Sequence, residues 1–157
     1  MKRKLGICEW SLPVSGATAI EIAAEAGFEG MQIGEAGGRL AAFPLNNQKV
    51  QESYNQAALK YGIKLHSLNL GALLSEGTLN YLPDSSCGRH AIESLTKGFE
   101  ACEKMNIRTV VITADPRNEE QLKNSAAHLR LASRMAEEAG IEIAVESAIP
   151  IEEIYKL

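Results

Sequence analysis

Glu146 closes the apolar run Ile143-Ala144-Val145, which puts a carboxylate at the end of a segment that reads as a buried strand. A charge there is costly unless it is solvated, paired or bound to a cation, so the residue is either a strand-end acid in water or a ligand. Other chemistry-bearing side chains sit at strand-like positions. Cys8 and Glu9 are adjacent, so in an extended segment they face opposite sides and at most one enters an interior. His66 alternates with Leu68 and Leu70, which predicts a structural, helix-facing histidine, while Ser67 and Asn69 share the other side. Gly37-Gly38-Arg39 could hold a phosphate through backbone N–H groups and the guanidinium, or serve only as a small-residue connection.

The elements that must position these residues are marked by four repeated junctions: Ala26-Gly27-Phe28-Glu29, Tyr61-Gly62-Ile63-Lys64, Met105-Asn106-Ile107-Arg108 and Ala139-Gly140-Ile141-Glu142. Gly and Asn tolerate the left-handed conformation that ends a helix, and the apolar residue after them packs back on its last turn. Each junction therefore turns a helix into a strand, and the chain reads as a series of βα units. Strands are expected at Leu5 to Trp10, Gly30 to Glu35, Lys64 to Leu70, Thr109 to Thr113 and Glu142 to Glu146. Helices are expected at Ala19 to Ala26, with a Thr18/Glu21 capping box, then at Asn47 to Tyr61, Gly88 to Lys104 and from Asn118 onward. A further helix opens near Leu157. The helix-to-strand turns are minimal and the strand-to-helix loops are long, which places function at the carboxyl ends of the strands.

Composition bounds the partners. The chain has 157 residues, 45% of them hydrophobic, enough for one sizeable core and a single domain over 1–157. A net charge of -4 and no basic cluster beyond Lys2-Arg3-Lys4 argue against nucleic acid and favour a small or metal-bound ligand. Three cysteines without Cys-x-x-Cys spacing support neither a disulfide framework nor a zinc knuckle and fit a reducing cytoplasm. No stretch approaches the length of a membrane span.

Leu5-Gly6-Ile7-Cys8-Glu9-Trp10-Ser11-Leu12-Pro13, Gly30-Met31-Gln32-Ile33-Gly34-Glu35, Ser67-Leu68-Asn69 and Ile143-Ala144-Val145-Glu146, in that order, resemble the N-terminal half of the xylose-isomerase-like barrels. These are sugar and sugar-phosphate isomerases and epimerases related to endonuclease IV. The resemblance implies a parallel (β/α) barrel of the TIM type, incomplete at about five βα units. The alternative on length is a five-stranded doubly wound open sheet, although Glu9-Trp10-Ser11-Leu12-Pro13 is no phosphate turn. It further implies a divalent metal, Mn2+ first, at the carboxyl-end face, with Glu146 as both ligand and proton-transfer carboxylate. An Asp, a His and a second Glu would come from strands six to eight. The endonuclease branch expects a His after strand four, where this chain has Thr113-Ala114-Asp115.

On this resemblance Glu9, Trp10, Ser67 and Asn69 are the expected substrate contacts, with Trp10 and Phe43 as possible walls of a sugar pocket. The implied activity is isomerisation or epimerisation by proton transfer through an enediolate, with this chain alone expected to be inactive. The alternative is a non-catalytic half-barrel completed by a partner chain or a second copy, because a partial barrel leaves its first and fifth strands as open edges. Glu146 is expected to share a face with Ala144 and to lie within reach of Ser67 or Asn69.

Overall fold

A computed structural model describes residues 3–34, 37, 43–75 and 77–155. Five strands, β1 Gly6–Cys8, β2 Gly30–Ile33, β3 Lys64–Asn69, β4 Thr109–Thr113 and β5 Glu142–Glu146, form one sheet in the order β1-β2-β3-β4-β5. Every neighbouring pair is parallel. This sequential order belongs to a (β/α) barrel and excludes the doubly wound alternative, in which the order reverses at a switch point. The architecture is an incomplete barrel of the TIM type.

The helices are α1 Ala17–Glu25, α2 Gln48–Tyr61, α3 Gly71–Ser75, α4 Ser86–Met105, α5 Glu119–Ala139 and α6 Ile151–Ile154. Their ends follow the expected chemistry. Gly62, Asn106 and Gly140 adopt the left-handed conformation, and the next residue's N–H reaches back five positions: Ile63 to Ala58, Ile107 to Cys102 and Ile141 to Ala136. Ile63, Ile107 and Ile141 are buried, so each junction seals the foot of a helix against the sheet. Asn47, Ser85 and Asn118 cap the starts of α2, α4 and α5 through their side-chain oxygens.

Two expectations about boundaries change. Trp10 leaves the first strand, because residues Glu9–Ser11 form a 3-10 helix. The Thr18/Glu21 capping box does not form: α1 starts two residues earlier, with Gly16 as its N-cap at φ 74. The carboxylate of Glu9 takes the Gly16 N–H at 2.8 Å, which fixes the chain there before Thr18 is reached. Glu35, Gly38 and Arg39 lie outside the described residues, and with them the end of the expected second strand and the Gly-Gly-Arg phosphate loop.

The core lies between one face of the sheet and the helices. Ile20, Met31, Ile33, Leu68, Leu95 and Ile112 are completely buried. Each contributes roughly 1.5–3 kcal/mol by leaving water. The sheet's edges stay open: Leu5 is 61% and Val145 40% exposed, and four of the five β5 residues are exposed.

Candidate functional site

Strand register sorts the sheet into two faces. Met31, Leu65, Leu68, Val110, Ile112 and Ile143 lie on the helix-covered side and belong to the core or pack on it. Cys8, Gln32, Ser67, Asn69, Val111, Thr113, Ala144 and Glu146 share the other side, joined by the pairs Cys8–Gln32, Gln32–Ser67, Asn69–Val111, Val111–Ala144 and Thr113–Glu146. A barrel interior of this kind is polar towards the carboxyl ends, where ligands bind.

Glu146 stands at that rim on the same face as Ala144, as alternation requires. Its hydrogen-bond partner is the Thr113 hydroxyl, which donates to Oε2 at 3.4 Å. The expected neighbours Ser67 and Asn69 are replaced by Thr113 for a geometric reason. β4 stands between β3 and β5, and Thr113 is two residues further along β4 than Val111, the partner of Asn69. A glutamate side chain spans one inter-strand gap of about 4.8 Å far more readily than two. Glu146 itself is exposed, and among the described residues its Oε1 has no protein partner.

The exit of β5 is laced to the exit of β4. The Ala114 N–H donates to the Glu146 carbonyl at 3.0 Å, and the Ser147 hydroxyl donates to the Ala114 carbonyl at 2.5 Å. Asp115 Oδ1 accepts from the Ala148 N–H at 2.8 Å and lies 3.3 Å from the Ser147 hydroxyl oxygen. Asp115 thus holds the backbone just beyond Glu146. Its legible signal was its place directly after a strand and before Pro116, where an aspartate commonly accepts backbone N–H groups.

Glu9 is 4% exposed, and both its oxygens are engaged. Oε1 accepts from the Tyr54 hydroxyl at 2.5 Å and from the Gly16 N–H at 2.8 Å, and Oε2 from the Gly34 N–H at 3.3 Å. One carboxylate therefore ties the 3-10 helix after β1 to α1, to the end of β2 and to α2. Trp10, 57% exposed, lines a hollow of about 250 Å³ with Glu9, Leu12, Pro13 and Gly34. Its ring passes close enough to Gly34 that a Cβ there would touch it at 3.7 Å. Phe43 lies next to the 3-10 helix Pro44–Asn46 and is absent from the lining of that hollow.

His66 is the main correction. A register shift at Met31/Gln32 makes Leu65 the partner of Met31 and Ser67 the partner of Gln32, so His66 is the extra residue of a bulge. The ring lies over Gly6 and Gly30, where a Cβ would approach it to 3.3 and 3.2 Å, so it faces away from the helices. Its Nδ1 is 2.8 Å from the Ser67 hydroxyl. Partial burial, helped by Lys64, holds its pKa below the ordinary value. Ser67 is buried, 4% exposed, beside it, and Asn69 is half-buried at the carboxyl end of β3.

A carboxylate oxygen at a strand end is a donor that a hard divalent cation accepts, so Glu146 Oε1 fits one position of a metal shell. Among the described residues no group of three or more His, Cys, Asp or Glu side chains could hold a metal ion.

Comparison with known proteins agrees with this fold. A family model described as "Xylose isomerase-like TIM barrel" matches residues 20–149. No curated protein matches. Among solved structures, a D-allulose 3-epimerase from Methylomonas sp. is 18% identical with TM-score 0.69, the match covering 90% of this chain and 50% of that one. A xylose isomerase domain protein from Planctomyces limnophilus is 9% identical with TM-score 0.70, covering 97% and 57%. An IOLI protein with a binding zinc atom is 19% identical with TM-score 0.63, covering 91% and 51%. The chain spans about half the length of these structures.

Proposed function

The chain belongs to the xylose isomerase-like TIM barrel family, and from that premise we propose that it forms the first five βα units of a metal-dependent sugar or sugar-phosphate isomerase or epimerase. The observation that carries the reading is the Glu146 carboxylate at the rim, with one oxygen open among the described residues and the other accepting from Thr113. Moving a proton at a carbon next to a carbonyl, through an enediolate, takes a positioned carboxylate on one face and a second group on the other. Glu146 is the first of these groups, and the second belongs to the remaining strands of the barrel. A divalent cation, Mn2+ in the first instance, supplies Lewis-acid polarisation of the substrate carbonyl when bound. The likeness to a D-allulose 3-epimerase and to a protein with a bound zinc atom supports this reading, as does the family.

Trp10, Ser67 and Asn69 are the proposed substrate contacts: an indole for the apolar face of a sugar, a hydroxyl and an amide for its oxygens. Glu9 acts on the substrate through the position it gives Trp10 and the loop after β1, since its own oxygens are engaged. A cytoplasmic location goes with three unpaired cysteines. No helix of the described residues is long and apolar enough to cross a membrane.

The open edges favour one second reading, a half-barrel that binds through β1 and β5 to a partner chain or another copy. The test of the first is exchange of carbon-bound hydrogen in D2O with Mn2+ and a panel of ketoses and ketose phosphates. The 157-residue chain alone is expected to show none. Exchange is expected once the remaining βα units are supplied in cis or in trans, and is lost in Glu146→Gln. A completed barrel that exchanges equally with and without Glu146 overturns the proposal; one that assembles but never exchanges favours the second reading.

A further inference from the structure

Beside Glu146 lies a second hollow that the proposed chemistry does not use. It has a volume of about 400 Å³ and sits between the 3-10 helix Thr78–Asn80 and the connection from β4 to α5. Thr113, Asp115, Arg117, Gln121, Asn80 and Tyr81 are among its walls. Thr113 is also the residue that donates to Glu146, so the hollow opens directly beside the candidate catalytic carboxylate.

The walls present several hydrogen-bond donors, and their amide and carbonyl acceptors are engaged, while the second oxygen of Asp115 stays open among the described residues. Gln121 Oε1 accepts from the Arg117 N–H at 2.8 Å, which fixes the amide and leaves its NH2 end free to donate. Asn80 Oδ1 shares the one proton of the Ser125 hydroxyl with the Leu79 carbonyl, each at 3.3 Å, which turns its NH2 end the other way. One oxygen of Asp115 is held by the Ala148 N–H. Among the described residues the Arg117 guanidinium has no hydrogen-bond or ion-pair partner, and it stands on the ridge between this hollow and a larger one. The larger hollow, about 890 Å³ between α5 and residues 149–153, holds neither Glu146 nor any residue of the strand face and carries no role here.

The floor of the smaller hollow is held firmly. Asn124 Nδ2 donates to the Asn80 carbonyl at 3.0 Å, the Ser125 hydroxyl to the Leu79 carbonyl at 3.3 Å, and His128 Nε2 to the Tyr81 carbonyl at 3.0 Å. Three side chains of one face of α5 thus dock segment 79–81, so the hollow is built before any ligand arrives. A preorganised set of donors around an unpaired guanidinium favours an anion with several oxygens over a neutral group.

We propose that this hollow is the subsite for the terminal phosphate of a sugar phosphate, with Arg117 as its specificity-determining contact and Gln121 and Asn80 as supporting donors. The inference rests on the reading of Glu146 as the catalytic carboxylate only for which end of the sugar lies where. It chooses between the two substrate classes left open above, in favour of the phosphorylated sugar. The Asp115 charge opposes an anion, and Arg117 two residues away offsets it, so selectivity hinges on that arginine.

The test reads binding and not turnover. The 15N-labelled chain is titrated with inorganic phosphate at constant ionic strength while the Gln121 and Asn80 side-chain amides and the Arg117 Nε–H are followed by NMR. Saturable shifts at these groups are expected, weakened about tenfold or more in Arg117→Gln and unchanged in Lys123→Gln, on α5 with Gln121 but outside this hollow. Loss of shifts confined to the variant, with an otherwise superimposable spectrum, distinguishes lost binding from unfolding. The proposal is overturned if no saturable shift appears at millimolar phosphate, if Arg117→Gln binds as tightly as the parent, or if neutral D-fructose perturbs the same groups as strongly. Phosphate binding without hydrogen exchange in the completed barrel would leave this subsite standing and remove the epimerase reading.

Discussion

Tyr54→Phe removes a single oxygen and tests whether one buried carboxylate organises the rim around β1. The Tyr54 hydroxyl donates to Glu9 Oε1 at 2.5 Å, and Tyr54 and Glu9 are 2% and 4% exposed. Water cannot reach the oxygen left behind without opening the loop. A hydrogen bond to a charged group contributes about 1.5–3 kcal/mol. A loss of about 2 kcal/mol lowers Tm by roughly 4–8 °C in a domain of this size. Thermal unfolding followed by far-ultraviolet circular dichroism measures it. Trp10 is the chain's one tryptophan and sits next to Glu9, so its emission reports the same loop independently and is expected to move to longer wavelength. Glu9→Gln should cost more, because its NH2 end meets one of three donors, the Tyr54 hydroxyl and the N–H groups of Gly16 and Gly34. The double variant should fall well short of the sum, since both changes strike the same bond. If Tyr54→Phe melts within a degree of the parent and Trp10 emission is unmoved, the carboxylate is not the tie described.

His128 is completely buried, with Nε2 donating to the Tyr81 carbonyl and Nδ1 without a partner among the described residues, and burial lowers its pKa from 6.5. Below 6.5 the unfolded chain takes up a proton that the fold excludes, so its share of stability is present above 6.5 and falls as pH drops towards the lowered value. Denaturant titrations across pH 5 to 8 should show this slope flattened in His128→Gln, and an unchanged slope would refute it. Gly88→Ala should destabilise by about 1–3 kcal/mol despite its better helix propensity. A Cβ there would lie 2.0 Å from the Leu82 carbonyl oxygen, and urea titration checks the sign. The Cys102 thiol is completely buried and pushed up to about 12, so at pH 8 a disulfide reagent should modify Cys8 and Cys87 and leave Cys102 until unfolding. Calorimetry should find only weak Mn2+ binding to the isolated chain, as one carboxylate cannot hold a divalent ion tightly. Tight stoichiometric binding undiminished in Glu146→Gln would refute the site.

Whatever depended on local chemistry was already in the sequence. Gly62, Asn106 and Gly140 announce their helix ends because a left-handed residue followed by a buried isoleucine is a short-range requirement. Short connections between consecutive strands then dictate the order β1-β2-β3-β4-β5, and alternation along β5 places Glu146 with Ala144 on the polar face. What the sequence could not decide were matters of register and long-range contact. His66 reads as helix-facing by strict alternation with Leu68 and Leu70, and one bulge opposite Met31 and Gln32 turns it to the other side, because the extra residue puts the alternation before Ser67 out of step with that after it. Thr18 looks like a helix cap, yet α1 begins at Ala17 because Glu9, held in turn by Tyr54 from 45 positions away in sequence, captures the Gly16 N–H. Asp115, Arg117 and Gln121 gather around a hollow with Asn80 only after α5 docks segment 79–81. Such groupings depend on the free energy of packing whole elements, which no window of neighbouring residues contains.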